Sequence, residues 1–447
     1  MGIFRKWLAF YRLEMEVLPL STPCRGAVAI AFGGLLVIKA CLRKLFNLSI
    51  AFLRKLHEVL THSTCRQYAI AAAISASLLA GDYLLGNMAF PLPDEMNILK
   101  YFDKAKEMLY TNRDSIPDDA LLINVSYDKQ LVDYYDSLSM PLGQAVITDR
   151  GKLLKFLQIA QQANNYKYIM LDVIFEQDEK TCYDSLLFHA IASMERIVIP
   201  VGEEEKLADT ILHSKACYAQ YTTTWFDTDF SHYQLLHNGQ PSMPLRMYQE
   251  LTGHDIHRHF CWYADAGRLC RSGLSLWMPV RVTDRVERVD DQRQKVKIYQ
   301  LGIDLLERDT LIPVADRIKD KIVVIGDFKT DVHETYLGPQ PGSIICLNAY
   351  YALLRGDHVL TWHLLFYLFV GLVYFVMALF VVRDETQSQQ VSQTWLRVIL
   401  CLFKPGFIFF SIAVLAYLLP WHIVYGAWLP TFVFSLMETY ANMKSNH

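Results

Sequence analysis

KIVVIGDFKTDVHETYLGPQPGSIICLNAYYALLRGDHVL, residues 321–360, decides the reading. Four apolar residues, Ile322–Ile325, form a short continuous run closed by Gly326, the pattern of a strand buried on both faces. A polar loop follows, then Pro341-Gly342, then an apolar helical stretch, Ser343–Leu354. The Gly356-Asp357 turn hands the chain to a second apolar segment, Trp362–Val382. A folded domain therefore ends near residue 361 and is expected to feed almost directly into a membrane span.

Working upstream, the same alternation repeats. Ala120–Tyr127 and Tyr168–Phe175 read as buried strands, Arg196–Val201 as a third, and Trp277–Val282 as another. Helical periodicity falls at Met96–Tyr110, Asp149–Asn164, Cys182–Met194 and Ser242–Leu251. Short apolar strands alternating with helices signal βαβ units and a mostly parallel sheet, so the fold class expected is α/β. Ala216–Thr224 and His232–Leu236 alternate aromatic and polar residues and read as an antiparallel insertion or edge, and Glu287–Lys297 as an exposed charged stretch.

Composition narrows the function classes. The 447 residues are 52% hydrophobic and only 20% charged, apolar for a soluble protein, and the formal net charge of −3 offers no footprint for nucleic acid. Nine cysteines occur without a CxxC pair, which removes zinc ribbons and thioredoxin-like motifs. No dinucleotide, P-loop, nucleophile-elbow or HExxH motif is written here, and nothing names a cofactor.

Hydropathy suggests about four transmembrane helices, at 68–90, 362–382, 398–420 and 423–440, one before the domain and three after. Arg43, Lys44, Arg54, Lys55 and Arg66 precede the first, Arg383 and Arg397 bracket the 383–397 loop, and Lys444 lies in the 441–447 tail. Basic flanks mark the cytoplasmic side, which puts the central domain, 91–361, outside the cytoplasm. Residues 1–67 then form a cytoplasmic or interfacial region, with a basic amphipathic stretch at Ala40–Leu60 and an apolar segment at 26–42 that is either interfacial or a further span. No cleavable signal peptide is evident. Asp82 and Glu438, acids within or at the ends of spans, are candidate contacts for a partner in the membrane.

In an open parallel sheet, ligands sit beyond the carboxyl ends of the strands. The residues there are Asp128, Asp172, Glu176, Asp327, Asp331 and His333. Convergent carboxylates suit a divalent cation or a cationic ligand. Acids after strands also cap helices and turns. His254, His257 and His259, with Cys261 beside them, form a second cluster of metal-ligating types. Their spacing matches no established metal signature, and His257 and His259 share a face only on a strand.

The strand KIVVIG (321–326), Asp331, Thr335, the QPG turn (340–342), Asn348-Ala349, Leu353-Leu354 and Gly356 resemble the second type of the CHASE family, extracytoplasmic sensory domains associated with cyclases and histidine kinases. LLINVSYD (121–128), DRGKLLKFLQIA (149–160), YIMLDVIF (168–175) and PSMPLRMYQEL (241–251) are similar to the family's other segments in order and spacing. The chain has Ile344 and Cys346 where the family often places Glu and His. The resemblance implies a non-enzymatic sensor or receptor subunit, multi-pass in a bacterial cytoplasmic (inner) membrane, with its sensing domain on the periplasmic side. The family usually continues into an output domain, whereas this sequence stops at His447, so a separate membrane or cytoplasmic protein is expected to supply the output. A homo-oligomer is compatible with this reading. The alternatives are a docking component of an envelope complex and an extracytoplasmic metal-dependent hydrolase.

Overall fold

The computed structural model describes residues 65–87, 116–135, 141–176, 180–201, 207–219, 232–260, 262–281 and 298–362, with scattered positions from 365 to 377. The chain divides into two compact units. One comprises Ala72–Phe375 with Val391–His447 and carries nearly all the elements below; the other comprises Met1–Ala71 with Val376–Gln390.

Along the chain come α1 (Cys65–Gly86), β1 (Ala120–Asn124), the hairpin β2 (Lys129–Tyr135) and β3 (Pro141–Thr148), α2 (Arg150–Ala163), β4 (Tyr168–Asp172), α3 (Asp184–Ser193), β5 (Ile197–Val201) and β6 (Ala216–Tyr218). There follow β7 (His232–Gln234), α4 (Met243–Thr252), β8 (Ile256–His259), β9 (Trp262–Asp265), β10 (Arg268–Cys270) and β11 (Gly273–Ser275). The last elements are β12 (Ile298–Gln300), a π-helical turn at Leu301–Leu306, α5 (Val314–Ile318), β13 (Ile322–Gly326) and α6 (Gly342–Arg355).

Six strands form one sheet in the order β12-β1-β13-β4-β5-β6, and every pairing in it is parallel. The α/β expectation and the mostly parallel sheet hold. Period-two alternation assigns the two faces. Leu121, Ile123, Ile169, Leu171, Val323 and Ile325 pack against α2, α3 and α5. Ala120, Leu122, Tyr168, Met170, Ile322 and Val324 pack against α4 and α6. Both faces are covered, which is why these strands read as unbroken apolar runs.

The helix boundaries follow from local chemistry. Asp149 caps α2, its carboxylate accepting from the Lys152 amide at 3.0 Å, and Asn164 closes the helix in the left-handed conformation. Gly253 and Gly356 close α4 and α6 in the same way. The stretch expected as a strand at Trp277–Val282 is not one over its described residues. Asn348 of α6 takes the place of a neighbouring strand there: its side chain accepts from the Val280 amide at 3.0 Å and donates to the Val280 carbonyl at 2.8 Å. The helix expected at Met96–Tyr110 and the charged stretch Glu287–Lys297 lie outside the described residues.

The expectation of about four transmembrane helices is overturned: among the described residues no helix is long and apolar enough to cross a membrane. The span expected at 68–90 falls on α1, which opens with Arg66 and Gln67 and carries Ser75, Ser77 and Asp82. Its end is committed to the domain. Asp82 is buried in an ion pair with Arg271, Tyr83 Oη donates to the Cys270 carbonyl at 2.9 Å, and Asn87 Oδ1 accepts from the Ser272 amide at 2.7 Å. The segments 398–420 and 423–440, the stretch at 26–42 and Glu438 lie outside the described residues, and 362–382 does so for the most part.

Candidate functional site

The carboxyl ends of β1, β13 and β4 lie level, with Asn124 beside Gly326 and Gly326 beside Asp172. A cavity of about 240 Å³ opens there, lined among others by Asp172, Glu176, Asp327, Asp331, His333, Lys129, Arg150 and Cys346. Five of the six acids and histidines that strand-end logic selects are thus gathered around one space. The sixth, Asp128, is elsewhere: it is buried, bonded to Lys152 Nζ at 2.7 Å and to the Gly302 amide at 3.1 Å, and ties α2 to the π-helical turn.

Two glycines let the backbone close around the cavity. A Cβ on Gly326 would meet Ser343 Oγ at 2.7 Å, so only glycine lets β13 end against the first turn of α6. A Cβ on Gly342 would meet Asp331 Oδ2 at 2.8 Å, so the bare first residue of α6 lets the Asp331 carboxylate lie close against it. The Gly342 amide donates to the Asp331 carbonyl at 3.1 Å.

The charged groups divide into answered and unanswered. Asp327 accepts from Lys129 Nζ and Ser126 Oγ at 2.7 Å each and from the Thr330 amide at 2.8 Å. Burial alone would raise its carboxyl, but Lys129, Thr330 and Ser126 outweigh burial and hold it well below the usual range. Arg150, buried at the start of α2, bonds Asp184 at 3.1 Å and lies over the Phe175 and Phe188 rings. Both cavity cations therefore already hold a carboxylate within the chain.

Asp172 differs. Burial and the neighbouring Asp331 charge push its carboxyl up to about 7, with His333 pulling the other way. His333 Nε2 lies 3.3 Å from Asp331 Oδ1. The imidazole is raised first by that hydrogen bond, then by the Asp331 and Asp172 charges, against burial. Glu176 stands exposed at the rim. The cavity thus presents Asp172, Asp331 and Glu176 beside one histidine. Tyr233 Oη and Cys346 Sγ, 3.5 Å apart, complete the wall, and burial raises the thiol above its usual range.

The histidine cluster is dispersed. His257 and His259 do lie on a strand, β8, and are exposed, His257 beside Asp255 at 3.4 Å. His254 turns the other way, to the buried Asp265 at 3.2 Å. Among the described residues no group of three or more His, Cys, Asp or Glu is placed to hold a metal ion. Asp82, a candidate partner contact, faces Arg271 of its own chain.

Sequence reasoning passed over Lys129, Arg150, Thr148 and Tyr233. The first three come from a hairpin and a helix start whose packing against β4 is a tertiary fact. Arg150 left one trace, a guanidinium at the first position of an otherwise apolar-periodic helix. No family model, curated protein or solved structure matches the chain.

Proposed function

We propose that the chain is a non-enzymatic sensor subunit whose α/β domain binds a small organic cation, an amine, at the carboxyl end of its sheet and passes the change to a separate partner protein. One observation carries this: Asp172 and Asp331 converge on one cavity whose own cations are already engaged by Asp327 and Asp184. An incoming ammonium would take the place that the Asp172 proton holds, and the Asp331–His333 pair would close the mouth. The space equals about eight water volumes, which suits a compact amine. The first turn of α6 lines the same cavity, and its positive end favours the ionised acids that a cation would leave behind.

A route outward supports the sensor reading. The residues after α6, Asp357–Leu360, pair with β10: Arg271 N donates to the His358 carbonyl at 2.9 Å and Leu360 N to the Leu269 carbonyl at 2.8 Å. The end of α1 grips the same strand through Asp82 and Tyr83. A shift of α6 would thus reach both flanks of the domain together. A ligand drives such a shift only by binding two arrangements unequally.

The test is a thermal-shift screen of the full chain with small primary and quaternary amines against matched carboxylic acids. Amines alone should stabilise it, and Asp172→Asn with Asp331→Asn should abolish the effect. Stabilisation by the acids, or by amines equally in the double variant, rejects the reading.

A further inference from the structure

We propose that the cation taken by this domain carries a single charge and an apolar tail: an alkyl- or arylalkylamine whose ammonium sits at Asp172 and whose tail lies across the ends of β5 and β6. The assignment deepens the amine reading and rests on it.

The order of the strands lays out the two halves of the ligand. In the β4–β5 register Ile169 stands beside Ile197 and Met170 beside Val198, which carries Asp172 level with Pro200. Pro200 is in turn beside Cys217, and Ala219, two residues on, donates its amide to the Val201 carbonyl at 3.0 Å. Period-two alternation puts Asp172, Pro200 and Ala219 on one face with Met170, Val198 and Cys217, the face covered by α4 and α6. Pro200 and Ala219 line the cavity, and so do Met243, the first residue of α4, and Ile345 of α6. Neighbouring strands lie about 4.8 Å apart, so this apolar floor runs about 10 Å outward from Asp172.

Charge is confined to the other sides of the cavity. Lys129 and Asp327 pair at the end of β13, on the far side of Asp172 from β5. Arg150 lies over Phe175 and Phe188, which belong to the opposite, α2–α3 face of the sheet. Glu176 is exposed at the rim. Among the described residues, the lining drawn from β5, α4 and the end of β6 carries no charge. A second ammonium laid there would lose its water and gain no counter-charge, whereas methylenes laid there leave water at a gain.

The experiment titrates the full chain with ethylamine, butylamine, hexylamine and 1,4-diaminobutane, by calorimetry at one pH. Affinity should rise by about two- to fourfold for each added methylene, and the diamine should bind about tenfold or more weakly than butylamine. Ala219→Leu fills the far end, so it should leave ethylamine unchanged and bring hexylamine down toward it. Ala219→Asp should reverse the preference in favour of the diamine. Ethylamine and hexylamine binding alike, or a diamine binding as tightly as butylamine, overturns the proposal and leaves the amine reading standing. A length dependence kept in full by Ala219→Leu puts the tail elsewhere and overturns it too. If no amine binds, both fall.

Discussion

Two carboxylates, the half-buried Asp172 and the fully buried Asp265, receive opposite treatment from the same domain. Asp265, on β9, accepts from His358 Nε2 at 3.0 Å and Tyr248 Oη at 3.1 Å, with His254 and Arg268 close by. Burial would raise its carboxyl, but the His358, His254 and Tyr248 hydrogen bonds outweigh burial and hold it at about 2. Asp172, on β4, has burial and another acid for company and sits at about 7. The first acid is a finished knot joining α4, β9 and the segment after α6. The second is left open to a cavity. A charge with several close partners holds structure together; one with few is poised for something that arrives later.

The largest expected effect breaks the finished knot. Asp265→Ala strands His358 and Tyr248 in the interior and should cost about 3 kcal/mol or more, read by chemical denaturation. Because its carboxyl is held low in the fold, the contribution of Asp265 is complete above about pH 4 and fades as pH falls toward about 2.

Gly326→Ala comes next. The added methyl meets Ser343 Oγ at 2.7 Å and its Cβ at 2.9 Å, so β13 and α6 must separate, at about 1–3 kcal/mol. Amine binding should weaken with it, since α6 forms part of the cavity wall.

Asp172→Asn should act in the opposite direction to Asp265→Ala. The folded chain holds the Asp172 proton more tightly than the unfolded chain, so wild-type stability falls as pH rises from about 4 to about 7. The variant lacks this loss and should be more stable than wild type above pH 7, by roughly 1–2 kcal/mol, with no advantage near pH 4. Thermal melts across that range show the divergence or its absence.

The smallest effect belongs to the exposed histidines. His257→Ala with His259→Ala should change stability by less than about 0.5 kcal/mol, and zinc should leave the melting temperature of wild type and variant alike unchanged. Zinc-dependent stabilisation lost in that variant would restore the metal reading of this cluster.

Much of the sheet was legible because its strands are covered on both faces: Ile322–Ile325 and Tyr168–Leu171 are apolar without a break, and few structures other than a parallel sheet want that. The site was legible for the same reason, since Asp172, Asp327 and Asp331 mark where those runs stop. The β2–β3 hairpin was not, because Lys129–Tyr135 mixes charged and aromatic residues, and its pairing with Pro141–Thr148 is settled by tertiary contact. Helix α1 misled for a physical reason. Its composition is apolar enough to suggest a span, yet Asp82 and Tyr83 find partners in Arg271 and Cys270, nearly two hundred residues away in sequence. Hydropathy registers the apolar residues and is blind to the ion pair.

The most direct measurement is titration calorimetry of the full chain with an amine that stabilises it, at a pH just below 7, in buffers of differing ionisation enthalpy. Binding should release about half a proton per amine, the share of Asp172 still protonated at that pH, and Asp172→Asn should bind more weakly without that release. Amine binding that frees no proton in wild type, or frees as much in Asp172→Asn, would contradict it.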